Sequence, residues 1–123
     1  MRRILSIFIL IPLLFGCSED IESVKVDELE VMTKDLGEMN WEDAKTACTD
    51  LGDGWRLPTY DELHHLYLRK NSIGGFKQSQ YWSSTIRDGR PLIKNFSESS
   101  GVNDYFSVDK ENTFYVRAVR DIE

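Results

Sequence analysis

Few side chains in this sequence combine a reactive type with a spacing that chemistry could use. Trp41, Ala44, Cys48 and Leu51 recur at helical steps of three and four, which places the Cys48 thiol on an apolar face. A thiol there stays protonated and inert, because only the thiolate attacks or ligates. His64 and His65 are adjacent, with no cysteine or further histidine at ligand spacing, so a solvated helix face is expected and no metal centre. Ser83 and Ser84 follow Trp82 in an alternating segment without the sharp turn that presents a nucleophilic serine. No catalytic set forms and no cofactor motif is present, so the chain is expected to bind rather than to catalyse.

The cations divide into two groups. Arg56, Arg117 and Arg120 lie among apolar residues in a chain with 21 acidic side chains, and internal ion pairs are their expected use. Arg87, Arg90 and Lys94 instead cluster around the turn composition "RDGR". Together with Asn103, Asp104 and Tyr105 they make a polar rim with one aromatic, and ligand binding is expected on these loops between residues 86 and 105.

The opening "MRRILSIFILIPLLFG" has a basic start at Arg2 and Arg3 and an apolar run of about 12 residues, where a membrane-spanning helix needs about 20. It is expected to be a signal peptide over residues 1–16. "LLFGC" resembles the lipobox of bacterial lipoproteins, with Leu14 three places before Cys17 and Gly16 directly before it. That resemblance implies cleavage after Gly16 and lipidation of Cys17, and several acyl chains anchor a protein stably where one holds it marginally. Ser18 after the cysteine resembles the pattern for export to the outer membrane of diderm bacteria.

Of 123 residues, removing 16 leaves 107, enough for one domain with a core. Losing Arg2 and Arg3 takes the net charge from −6 to −8. Such a surface repels nucleic acid, whose binding requires neutralised phosphates. The acidic stretch through residue 26 is expected to be a tether over 17–26, leaving 27–123 as the folded unit. Lipidation of Cys17 would leave Cys48 alone, so the fold must hold without a disulfide.

Positioning falls to two helices and a set of strands. Asn40 suits an N-cap with Asp43 three residues on, and Gly52 suits the left-handed end of that helix. A second helix starts from Thr59 with Glu62 completing Thr-x-x-Glu, and buries Tyr60, Leu63, Leu66 and Tyr67. Between them "GDGWRLPT" predicts a rigid corner, with Trp55 and Leu57 to one side and Arg56 to the other. "ELEVMTKD" predicts a first strand, and "QYWSSTI", "RPLIKNFS", "NDYFSV" and "TFYVRAVR" predict four more. In the last, Phe114, Val116 and Ala118 share one face and Tyr115 and Val119 the other, as in a central strand. The class is α+β, two helices packed on a small, mainly antiparallel sheet.

Four motifs stand in order: "MNWEDAKTAC", "GWRLPTYDEL", "YWSST" and "FYVRAVR". Together, over about residues 29 to 120, they resemble a bacterial family of C-type lectin-like domains, the Lcl C-terminal domain family. The "WRLPT" corner is also similar to that of formylglycine-generating, sulfatase-modifying domains. The resemblance implies a lectin-like fold whose ligand loops lie in the second half of the chain. It implies an envelope binding module for a surface glycan or protein partner, or alternatively an accessory subunit docking through its sheet. Family members carry cysteines where this chain has Cys48 and Ala118, so their bridge cannot form here. Sugar-binding relatives hold calcium through a paired motif of which "VNDYF" keeps only Asn103 and Asp104, short of the six to eight oxygens calcium takes.

Overall fold

Why the corner after the first helix is rigid is visible in its backbone. Gly52, Asp53 and Gly54 all take positive φ, at 76°, 55° and 85°. The chain then turns into Trp55 and Leu57, both buried at 3% exposure, with Arg56 between them. Arg56 exchanges two backbone hydrogen bonds with Val119, at 2.8 and 3.0 Å. The corner is therefore stitched to the far end of the chain.

The computed structural model describes residues 21–97 and 105–122. Strands β1 (Ser23–Val26), β2 (Leu29–Met32) and β3 (Gly37–Met39) precede helices α1 (Trp41–Thr49), α2 (Tyr60–Leu68) and α3 (Lys70–Ile73). Strands β4 (Gln80–Arg87), β5 (Arg90–Asn95), β6 (Tyr105–Ser107), β7 (Phe114–Val116) and β8 (Val119–Asp121) follow. They form a three-stranded sheet, β1-β2-β8, and a five-stranded sheet, β3-β7-β4-β5-β6. All pairings are antiparallel except the single parallel pair Tyr81 and Tyr115. The chain is an α+β protein, with two sheets and a short third helix where one sheet and two helices were expected. Among the described residues no helix is long and apolar enough to cross a membrane.

Local signals set both main helices. Asn40 Oδ1 accepts the Asp43 amide at 2.9 Å, and α1 buries Trp41, Ala44 and Cys48. Its C-cap is Asp50, so the helix ends two residues before Gly52, which takes the expected positive φ beyond the cap and not at it. At α2, Thr59 Oγ1 accepts the Glu62 amide at 3.1 Å while Glu62 accepts the Thr59 amide at 2.9 Å, a complete capping box. Leu63 and Leu66 are buried, whereas Tyr60 and Tyr67 are only half-buried.

Two expectations need correction. The tether does not run to residue 26, because Ser23–Val26 pairs along its length with β2 as strand β1. Val24 and Val26 alternate with polar residues there, and Val26 is buried. "TFYVRAVR" is not one central strand either; it leaves the five-stranded sheet after Val116 and enters the three-stranded sheet at Val119. Its alternation nevertheless survives the switch. Phe114, Val116 and Ala118 pack with Trp41, Trp55 and Trp82, while Tyr115 and Val119 pack with Leu63, Leu66 and Phe96.

Arg117 sits at the switch and is bonded on several sides. Its side chain is fully buried; Nη1 donates to the carbonyls of Met32 (2.9 Å) and Gly74 (3.0 Å), and Nε donates to Asp35 Oδ1 at 2.8 Å. Nη2 also lies 2.8 Å from that oxygen as an ion-pair contact, off the line of a hydrogen bond. Tyr81 Oη donates to the other oxygen, Asp35 Oδ2, at 2.8 Å. A buried charge is tolerated only when paired and hydrogen-bonded, and here both hold.

Candidate binding surface

Strands β4 and β5 are joined through Asp88 and Gly89, which both take positive φ, 55° and 79°. A two-residue loop with that geometry matches the twist of the flanking strands and gives a tight hairpin. Arg87 and Arg90 face each other across it, both exposed. Arg90 Nη2 lies 3.4 Å from Asp109 Oδ1 in an exposed ion pair, and the Ser107 hydroxyl donates to the Arg87 carbonyl at 3.4 Å.

Register assigns the apolar side chains of this tip to one face. Ile86 pairs with Pro91, and Ile93 pairs with both Trp82 and Phe106. Directly opposed residues point to the same side, and Pro91 and Ile93 share a side because they are two apart. Trp82 and Ile93 are covered by the core that contains Trp41. Ile86 and Phe106 are not covered, at 54% and 51% exposure. The apolar face of the sheet thus runs past its cover: Ile86 ends in solvent beside Arg87 at the tip, and Phe106 lies opposite Ile93, about 10 Å of strand from Arg90.

The six residues expected to form one ligand patch are not one patch. Arg87 and Arg90 lie at the hairpin tip, whereas Lys94 and Tyr105 pair with each other further along β5. Four residues of strand separate Arg90 from Lys94, about 13 Å. Lys94 is also no loop residue: it lies within β5, fully buried, on the opposite face from Ile93. Its Nζ lies 4.8 Å from the centre of the Tyr67 ring and 5.8 Å from that of Tyr60, against α2. Asn103 and Asp104 fall outside the described residues, as does Cys17.

Arg56 and Arg120 are occupied structurally. Arg56 donates to both oxygens of Glu62 and to Asp121, Arg120 donates to Glu30 at 2.8 Å, and the Arg120 guanidinium lies 4.8 Å from the Trp55 ring. Burial pushes the Cys48 thiol up to about 12, so no thiolate is present at neutral pH. Burial, then the charge of Lys94, lowers His64 below the usual imidazole range, and its Nδ1 is buried without a hydrogen-bond partner among the described residues. Among those residues no three His, Cys, Asp or Glu side chains group around a common point.

Sequence reasoning placed Arg87 and Arg90 at an exposed turn, where the structure has them, but did not single out the exposed Ile86 and Phe106. The signal was present in Ile86, the apolar residue directly before "RDGR", because a two-residue turn leaves little chain to cover it.

No family model matches the chain, and no curated protein matches it. Among solved structures, a chain of "The von Willebrand Factor mutant (I546V) A1 domain-botrocetin Complex" is similar, with a TM-score of 0.56 and 11% identity over 87% of this chain and 100% of that one. At that identity the likeness concerns the fold alone and agrees with the α+β class.

Proposed function

We propose that the chain is a lipid-anchored binding module of the cell envelope, non-catalytic, that recognises a protein partner through the tip of the β4–β5 hairpin. The observation that supports this most is that Ile86 and Phe106 are both exposed on one sheet face, with Arg87 and Arg90 at the tip next to Ile86. Aromatic and aliphatic anchors beside arginine are the composition of interface hot spots, whereas scattered single exposed apolar residues carry no such meaning. An accessory subunit docking through its sheet would use the same face. The lectin-like family is part of this proposal, resting on the four ordered motifs, and the anchor and outer-membrane address rest on "LLFGC" and Ser18.

Site-specific photocrosslinking of the full chain in its native cells tests the proposal. A benzophenone side chain at position 86 or 106 is expected to give one discrete adduct, absent from the same label at exposed Glu111. The adduct should vanish in Arg87→Glu with Arg90→Glu, and Cys17→Ala should release the chain from membranes. Equal adducts at all three positions, or none at 86 and 106, would remove the hairpin from the reading. Intact-mass analysis showing an unmodified Cys17 would remove the anchor.

A further inference from the structure

Three concavities among the described residues differ in charge. One of about 300 Å³ between β1 and α3 holds Asp27 beside Arg69. A second, about 250 Å³, holds Asp27, Glu28, Glu62 and Asp121. The third, about 220 Å³ after α3, is lined by Lys70, whose Nζ lies 4.4 Å from the Tyr67 ring, and by Lys77, Asn71 and Gln78 over Phe76 and Phe96, with no carboxylate among the described residues. In a chain with 21 acidic and 15 basic residues, a cation-lined recess focuses positive potential against the background. We propose that this third concavity binds a single oxyanion group, a phosphate or a carboxylate.

The wall of the recess is held before any ligand arrives. Gly75 has φ +80°, and a Cβ there would meet the Thr33 carbonyl oxygen at 2.4 Å. The preceding carbonyl, of Gly74, accepts from buried Arg117 at 3.0 Å. The Lys77 amide donates to Tyr81 Oη at 2.8 Å, and that hydroxyl donates onward to Asp35. The loop from residue 74 to 77 is therefore fixed from beneath at two points, and a fixed loop loses little entropy on binding. Lys77 itself is exposed and makes no ion pair among the described residues.

The aromatic floor narrows the ligand class. Phe76 stacks on Phe96 with centroids 4.6 Å apart and planes 23° apart. The Arg117 guanidinium carbon lies 3.9 Å from the Phe76 centroid, and two groups that close cannot share a face. With both faces of Phe76 covered, no ring face is left to stack on a sugar or a base. Recognition falls to the Lys77 charge and to the amide donor of Asn71, which suit an oxyanion.

Such a group could come from a soluble molecule or from a membrane headgroup, and the test separates them. Amide NMR shifts of the full chain in maltoside micelles are followed during addition of inorganic phosphate, acetate, or chloride at matched ionic strength. Phosphate and acetate are expected to shift Gly74, Gly75, Lys77 and Gln78 saturably, and chloride is not. Lys77→Gln keeps a donor and removes the charge, and should weaken phosphate binding roughly five-fold or more. Lys25→Gln, on exposed β1, should leave it unchanged. Displacement of phosphate by phosphatidylglycerol but not phosphatidylcholine vesicles supports the site with a membrane source. Displacement by neither supports it with a soluble one. Shifts that chloride reproduces, or that survive Lys77→Gln, overturn the proposal.

Discussion

Glu62 accepts from Arg56 with both carboxylate oxygens, at 2.8 and 3.0 Å, while its Oε1 also accepts the Thr59 amide at 2.9 Å. One side chain thus closes the cap of α2 and clamps the corner that precedes it. Arg56 extends the clamp to Asp121 at 2.8 Å, so the start of α2 and the end of β8 are tied through one guanidinium.

This arrangement predicts an acid-sensitive stability. Burial would raise the Glu62 carboxyl, but the hydrogen bonds from Arg56 and the Thr59 amide outweigh it and hold the group below its ordinary value of 4.5. A carboxyl lowered in the folded state contributes fully above the unfolded value and loses that contribution as pH falls through the folded one. Glu62→Gln should therefore flatten the fall of urea midpoints below about pH 4.5 relative to the parent. Thr59→Ala should cost about 1 kcal/mol without changing that acid slope. An unaltered slope in Glu62→Gln would show that the clamp is not the titrating element.

A second prediction concerns the buried pair at the switch between sheets. Arg117→Met strands Asp35 with only Tyr81 in contact and should cost about 3–5 kcal/mol in denaturant unfolding. Adding Asp35→Asn should cost less than the two single changes together, because the charge left unpaired by the first is then removed. Strict additivity would mean that the two side chains do not act as a pair.

Cys48 supplies a third. Its folded value of about 12 against an ordinary 9.0 means the neutral thiol stabilises the fold below about pH 9, and that stabilisation fades as pH rises towards 12. Cys48→Ala should remove this alkaline component from the stability profile. A thiol reagent should leave the native chain unlabelled at Cys48 and label it once denatured. Rapid labelling of the folded protein would instead identify a reactive sulfur and reopen the question of catalysis.

Legibility followed sequence distance. The Asn40 and Thr59 caps, the buried stripe of α1 and the two faces of Phe114 to Val119 were readable because each depends on residues within one turn or one strand. Arg117 was recognisable as an ion-pair former, but its partners at the strand break, Asp35, Met32 and Gly74, lie far away in the chain. Lys94 misled for a similar reason. A lysine near a turn reads as solvated, yet its burial is set by Tyr60 and Tyr67 of α2, which no local pattern places over β5. The surface patch failed as a unit because Arg90 and Lys94 are close in sequence but stand at different points along one extended strand.

The pairing of β2 with β8 bears on when the molecule can fold at all. Glu30 and Arg120 are partners across 90 residues, and Arg56 finds its backbone partner only in Val119. Closing so long a loop precedes any return from the contacts it brings together. Until residues 119–121 are in place, β2 lacks one neighbour and the corner lacks its stitch. Residues 119–121 therefore complete both the three-stranded sheet and the corner, and a truncation before Val119 should leave a protease-sensitive chain.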